Sequence, residues 1–183
     1  VDVNLVDGRG KGLTPLLLAC CRSNLAMVKL LLEHGADGAQ CDAAGRNAYH
    51  YLAYPYIDGL QNGYECKRYS MDQREPVARL LAEGIDAEDG DGLTPLALML
   101  QDRNTACSCV LTGVFLEKGA ATDWADEKEN TLLLTAIHNN HMTAALKLAQ
   151  CTDLVNKANG EGETPMQAAG RLYNEGLCMA LKD

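Results

Sequence analysis

The stretch from Gly12 to Asp37, GLTPLLLACCRSNLAMVKLLLEHGAD, predicts two short helices closed by a glycine turn. Thr14 precedes a proline, so its hydroxyl can cap the first amides of a helix in which the proline gives up no hydrogen bond. In the second helix Met27 and Leu30 fall on one apolar face. Gly35 then supplies the left-handed residue at which a helix ends.

The same pattern returns along the chain, twice at a step of 33 residues and twice at a longer step. The residues that open the first helix of each copy are separated by steps of 33, 47, 37 and 33 residues. The chain resembles the ankyrin-repeat family, whose period is about 33 residues. Each unit of that family carries T-P-L-H-x-A, then a second helix like VVKLLL, then GADVN. The openings are Thr14, Asn47, Thr94, Thr131 and Thr164.

The resemblance extends over essentially the whole chain. It implies an all-α ankyrin-repeat solenoid, in which stacked helix-turn-helix units are joined by hairpin-like turns. One helix pair cannot bury its apolar face alone, so neighbouring pairs stack and share a continuous core. We therefore predict a single domain, 1–183, of about five repeats. Residues 1–7 resemble the end of an earlier unit, which leaves an upstream extension open.

The second repeat carries an insertion at 54–74. Asn47 and Gly84 are 37 residues apart, against 21 between Thr14 and Gly35. Insertions of this kind map to loops on one face of a solenoid. Tyrosine is enriched at binding surfaces, so the inserted tyrosines either contact a partner or cover the insertion's own thin core. They are Tyr54, Tyr56, Tyr64 and Tyr69.

Two turns between repeats are acidic. Residues 83–91 hold five acids and no basic residue, and residues 123–129 hold four acids beside Lys128. By repeat register these turns are expected to be neighbours, and together they would attract a basic partner, chiefly by raising the association rate. Trp124 would be an interface anchor. The alternatives are charges that keep the chain soluble and a tryptophan that folds against the next unit.

Register within the family indicates further contacts, because turn tips and first helices usually face the partner. The candidate contacts, beyond the four inserted tyrosines, are Arg46, Tyr49, Glu88, Asp91, Leu93, Trp124 and Lys128.

Composition excludes several classes of partner. The net charge of −9 argues against nucleic acid and against anionic membrane surfaces. No run of about 18 apolar residues predicts a membrane-spanning helix. Of the eight cysteines none forms a C-x-x-C pair. Several occupy apolar helix positions, which favours reduced thiols and a cytoplasmic location, with export into a host cell left open.

No catalytic, cofactor or metal site is predicted. Cys107 or Cys109 beside a histidine lacks any local motif that activates a thiol. His50 occupies the histidine position of T-P-L-H, for which the resemblance implies hydrogen bonds that brace the loop. Neither acidic turn has the spaced ligands of a calcium loop, and the Gly-rich residues 159–162 lack the Lys-Ser/Thr of a P-loop.

The predicted function is a non-catalytic protein-interaction module or adaptor, a monomer that presents an extended concave surface to another protein. The alternative is a targeting or regulatory domain of a larger enzyme whose catalytic part lies outside this chain. Neither the sequence pattern nor the composition identifies the partner.

Overall fold

The computed structural model describes residues 2–8, 10–53, 73–102, 108–151, 153–172 and 175–182. Its contacts divide the chain into two compact units, Val1–Leu98 and Met99–Asp183. The predicted insertion, 54–74, lies outside the described residues except for its last two positions. The extent of a single domain stays a prediction.

Two helix pairs lie in the described part of the first unit. They are α1 (Pro15–Cys21) with α2 (Leu25–Glu33), and α3 (Ala48–Ala53) with α4 (Arg74–Leu80). The first helices α1 and α3 pack against each other, and α2 packs against α4. The helices therefore form two layers. A further helix, α5 (Pro95–Gln101), spans the boundary between the units.

The second unit continues the alternation. It contains α6 (Ser108–Glu117), α7 (Leu132–His138), α8 (Met142–Cys151), a 3-10 helix (Asp153–Asn156), α9 (Pro165–Arg171) and α10 (Glu175–Ala180). Here α7 packs on α9, while α8 packs on both α6 and α10. The described residues form helices and turns without a named strand, so the prediction of an all-α fold is confirmed.

The predicted caps open the first helices. Thr14 Oγ1 accepts the backbone N–H of Leu17 at 3.2 Å, and Thr164 Oγ1 accepts that of Gln167 at 3.3 Å. Thr131 caps α7 in the same way. Each cap satisfies an amide that has no partner inside its helix, which explains why threonine recurs at this register.

Two details of the second helices differ from the sequence prediction. Met27 and Leu30 are 43% and 48% exposed, and Val28 is the residue of α2 that is buried. By analogy with Gly35, Gly84 is expected to end the second helix of its repeat, but α4 ends at Leu80. Leu81 is extended, with φ −68° and ψ 132°, and its carbonyl accepts a hydrogen bond from the Tyr49 hydroxyl instead of continuing the helix.

Candidate partner-binding surface

Four turns between helix pairs share one backbone structure, and we call them fingers: 42–46, 89–93, 126–130 and 159–163. The first residue of each finger is Asp or Asn, and its side-chain oxygen accepts the backbone N–H groups two and four residues later at 2.8 to 3.1 Å. Its own N–H donates to the carbonyl of the fifth residue. Every finger backbone is thus fixed by its own hydrogen bonds.

The fourth residue of each finger has a positive φ. Gly45, Gly92 and Gly162 have values of 78°, 73° and 80°. In the finger 126–130 the same position is occupied by Glu129, with φ 61°. Glycine adopts this region at no steric cost, whereas a glutamate there is strained.

Fingers within one unit are joined by backbone hydrogen bonds. In the first unit Gly90 N–H donates to the Ala44 carbonyl at 2.7 Å. In the second unit Gly160 N–H donates to the Lys128 carbonyl at 2.8 Å. These bonds fix the spacing between neighbouring tips, so the side chains on the tips are held in a defined arrangement.

His50 ties the first helix of a repeat to a finger. It is fully buried, and its Nδ1 accepts the backbone N–H of Asn47 at 3.2 Å. A carbonyl only accepts, so Nε2 carries the hydrogen that bonds to the Leu93 carbonyl at 2.9 Å. Burial lowers the pKa of His50, because the charged imidazolium would be desolvated. This is the loop-bracing role that the resemblance implied.

Several predicted contact residues lie at the surface. Glu88, Asp91 and Lys128 are exposed. Lys128 Nζ lies 3.9 Å from Glu161 Oε1, and both side chains are over 70% exposed, so this ion pair contributes little stability. Trp124 and Leu93 are partly buried.

Arg46 is partly buried, and its guanidinium is anchored to the first residue of its own finger. Its Nη2 lies 3.0 Å from Asp42 Oδ2, which also accepts the Tyr51 hydroxyl at 2.7 Å. Burial by itself raises the pKa of Asp42, but hydrogen bonds from the Arg46 backbone, from Tyr51 and from the Ala44 backbone outweigh burial and lower it. Asp42 therefore fixes the position of the Arg46 guanidinium.

The prediction of partner contact at Tyr49 is wrong. The residue is 1% exposed, and its hydroxyl donates to the Leu81 carbonyl at 2.6 Å. Burial is the main reason that the pKa of Tyr49 is raised to about 12, and the charge of Cys20 is the smaller one. The ring fills the space between α3 and the residue that follows α4, so it is a core residue.

Other predictions stay untested. Tyr54, Tyr56, Tyr64 and Tyr69 lie outside the described residues. The two acidic turns, 83–91 and 123–129, belong to different compact units, so their adjacency stays a prediction.

One functional candidate was missed. Glu163 ends the last finger at the register that Arg46 and Leu93 occupy in theirs, and only that register could have indicated it. Its carboxylate lies 3.1 Å from His138 Nε2 and 3.1 Å from Arg171 Nη1. Among the described residues, it is the carboxylate that the second unit buries most deeply.

No cluster of three or more potential metal ligands occurs in the described parts of the chain. Within the same ranges, no helix has the length and apolar character needed to cross a membrane.

Residues 1–62 match the family described as ankyrin repeats (3 copies). These residues are ankyrin repeats. The chain's helix pairs, capped openings and finger turns follow that pattern, so the predicted resemblance is confirmed. Ankyrin repeats are protein-interaction modules.

Two much longer proteins contain segments that are similar to this chain. The phosphocholine transferase AnkX of Legionella pneumophila is 26% identical over 176 residues, which are 92% of this chain and 16% of AnkX. The human transient receptor potential cation channel subfamily A member 1 is 28% identical over 173 residues, which are 93% of this chain and 14% of the channel. The chain therefore spans about a sixth or less of the length of these relatives.

Proposed function

We propose that the chain is a non-catalytic adaptor that binds another protein through its finger tips. The observation that carries this proposal is the fixed finger backbone, which holds exposed side chains such as Asp91 and Lys128 in place before a partner arrives. A surface ordered in advance loses less conformational entropy on binding.

A basic partner surface fits the first unit. Glu83, Asp86, Glu88 and Asp91 are exposed in the turn at 83–91, which has no basic residue. Such a surface would speed association with a positively charged protein, and the gain would fall as salt is added. We further propose that the chain works as a monomer in the cytoplasm, which size-exclusion chromatography and cell fractionation would test.

Capture of partners from cytosolic extract tests the adaptor role. The purified chain is compared at low and raised salt with variants Asp91→Ala and Trp124→Ala, and with Glu33→Ala, which removes an exposed acid from α2. A partner weakened by Asp91→Ala and by salt, but not by Glu33→Ala, supports binding at the fingers. Capture that is unchanged by both Asp91→Ala and Trp124→Ala contradicts it.

A second candidate is a targeting or regulatory segment of a larger protein. It is favoured by the small fraction of AnkX and of the human channel that this chain matches. The natural full-length protein, assayed with and without these residues, would separate the two roles.

A further inference from the structure

The Glu163 carboxylate is buried at the end of the finger 159–163. Only 10% of the side chain is exposed. The backbone on which it stands is fixed, because its N–H donates to Asn159 Oδ1 at 2.9 Å and its carbonyl accepts the Asn159 N–H. The carboxylate therefore has a defined position between the ends of α7 and α9.

The two carboxylate oxygens are not equally satisfied. Oε2 pairs with His138 Nε2 at 3.1 Å. Oε1 is buried and, among the described residues, receives no hydrogen bond. Arg171 Nη1 lies 3.1 Å from Oε1 but is not aligned to donate to it. A buried carboxylate oxygen without a hydrogen-bond donor is unfavourable, so the hydrogen bonding of this site is incomplete even though a cation lies beside it.

Arg171 covers Oε1, the oxygen that lacks a hydrogen bond, while most of its own side chain remains in water. Its side chain is 72% exposed. Because Arg171 is already mostly hydrated, an incoming guanidinium can replace it at Oε1 without first removing it from a buried environment. The group that now covers Oε1 is a guanidinium, so the site accommodates that shape.

We propose that Glu163 binds an arginine side chain of a protein partner, and that Arg171 covers this site in the unbound chain. This inference rests on the proposed function and names the partner group. A guanidinium held in place by the rest of an interface can align with the carboxylate, which makes a strong charge-assisted hydrogen bond. Arginine suits the site better than lysine, because its planar fork matches a carboxylate.

The test uses a capped tetra-arginine peptide titrated calorimetrically into the wild-type chain and its variants. Glu163→Gln keeps the side-chain volume and is expected to weaken binding roughly tenfold. Arg171→Ala is expected to strengthen it several-fold by removing the competitor. The double variant should lose that gain. A tetra-lysine peptide is expected to bind the wild type more weakly and to be less sensitive to Glu163→Gln.

Matched controls separate the site from general charge effects. Glu161→Gln and Lys157→Ala make the same changes in charge at exposed positions of the second unit. The inference is overturned if Glu163→Gln weakens binding no more than Glu161→Gln, or if Arg171→Ala strengthens it no more than Lys157→Ala. Circular dichroism of each variant checks that it remains folded.

Failure of this inference and failure of the adaptor role give different results. If a captured partner depends on Asp91 but not on Glu163, the adaptor role stands and the arginine site is rejected. If the peptide shows the expected pattern while no protein is captured, the site stands and the adaptor role is rejected.

Discussion

The Nε2 atom of His50 lies 2.9 Å from the carbonyl oxygen of Leu93, a residue 43 positions later in the chain. This contact joins α3 to the finger 89–93. On the other side of the ring, Nδ1 accepts the Asn47 N–H. The imidazole therefore satisfies two backbone groups of adjoining repeats from one buried position.

Replacing His50 with alanine is expected to destabilise the fold by about 2 kcal/mol or more, because it leaves the Leu93 carbonyl and the Asn47 N–H without a partner. Urea denaturation measures the loss. His34→Ala is the control, since His34 is exposed, and it should cost less than about 0.5 kcal/mol. Equal losses for the two variants would contradict the bracing role.

Stability is expected to fall as the pH drops below about 6.5, the ordinary pKa of histidine. Burial lowers the pKa of His50 in the folded chain, so the unfolded chain takes up the proton first. The stabilisation is complete above the unfolded pKa and is lost as the pH falls toward the folded one. Free energies of unfolding between pH 8 and 5 measure this slope. In the His50→Gln variant the unfolding free energy should depend less on pH. An unchanged dependence would mean that other groups cause it.

Replacing Glu129 with glycine is expected to stabilise the chain by about 0.5 to 1 kcal/mol. A φ of 61° is unfavourable for any residue that has a Cβ. Relief of this strain exceeds the entropic cost of the more flexible glycine. Glu127→Gly removes the same charge two residues earlier, where φ is not positive, and should destabilise. Chemical denaturation of both variants gives the comparison. Destabilisation by both would show that the backbone at Glu129 is unstrained.

Replacing Gly45 with alanine is expected to cost about 2 kcal/mol or more, and Gly35→Ala about 1 kcal/mol. Both glycines have positive φ, 78° and 84°. A Cβ at Gly45 would also lie 3.0 Å from the Gly90 nitrogen in the next finger, whereas one at Gly35 would meet open space. The difference between the two unfolding free energies measures the close packing of the fingers. Equal costs would mean that neighbouring fingers separate easily.

The sequence by itself determined the repeating unit. The caps at Thr14 and Thr164 lie three residues from the amides they bind, and the positive φ at Gly35 arises within one turn. Such features depend on the chain's local chemistry, so spacing alone predicts them. The fingers are equally local, because the Asp or Asn that opens each one accepts hydrogen bonds from amides within the next four residues.

Only the tertiary structure decided which side chains at equivalent registers are buried. Tyr49 was expected at the surface, but its hydroxyl meets Leu81, 32 positions later, and the same contact accompanies the early end of α4. Glu163 was not expected as a site, because its partner His138 lies 25 positions earlier on another helix. The repeat pattern fixes where each helix begins, but the burial of a side chain depends on what the neighbouring repeat packs against it.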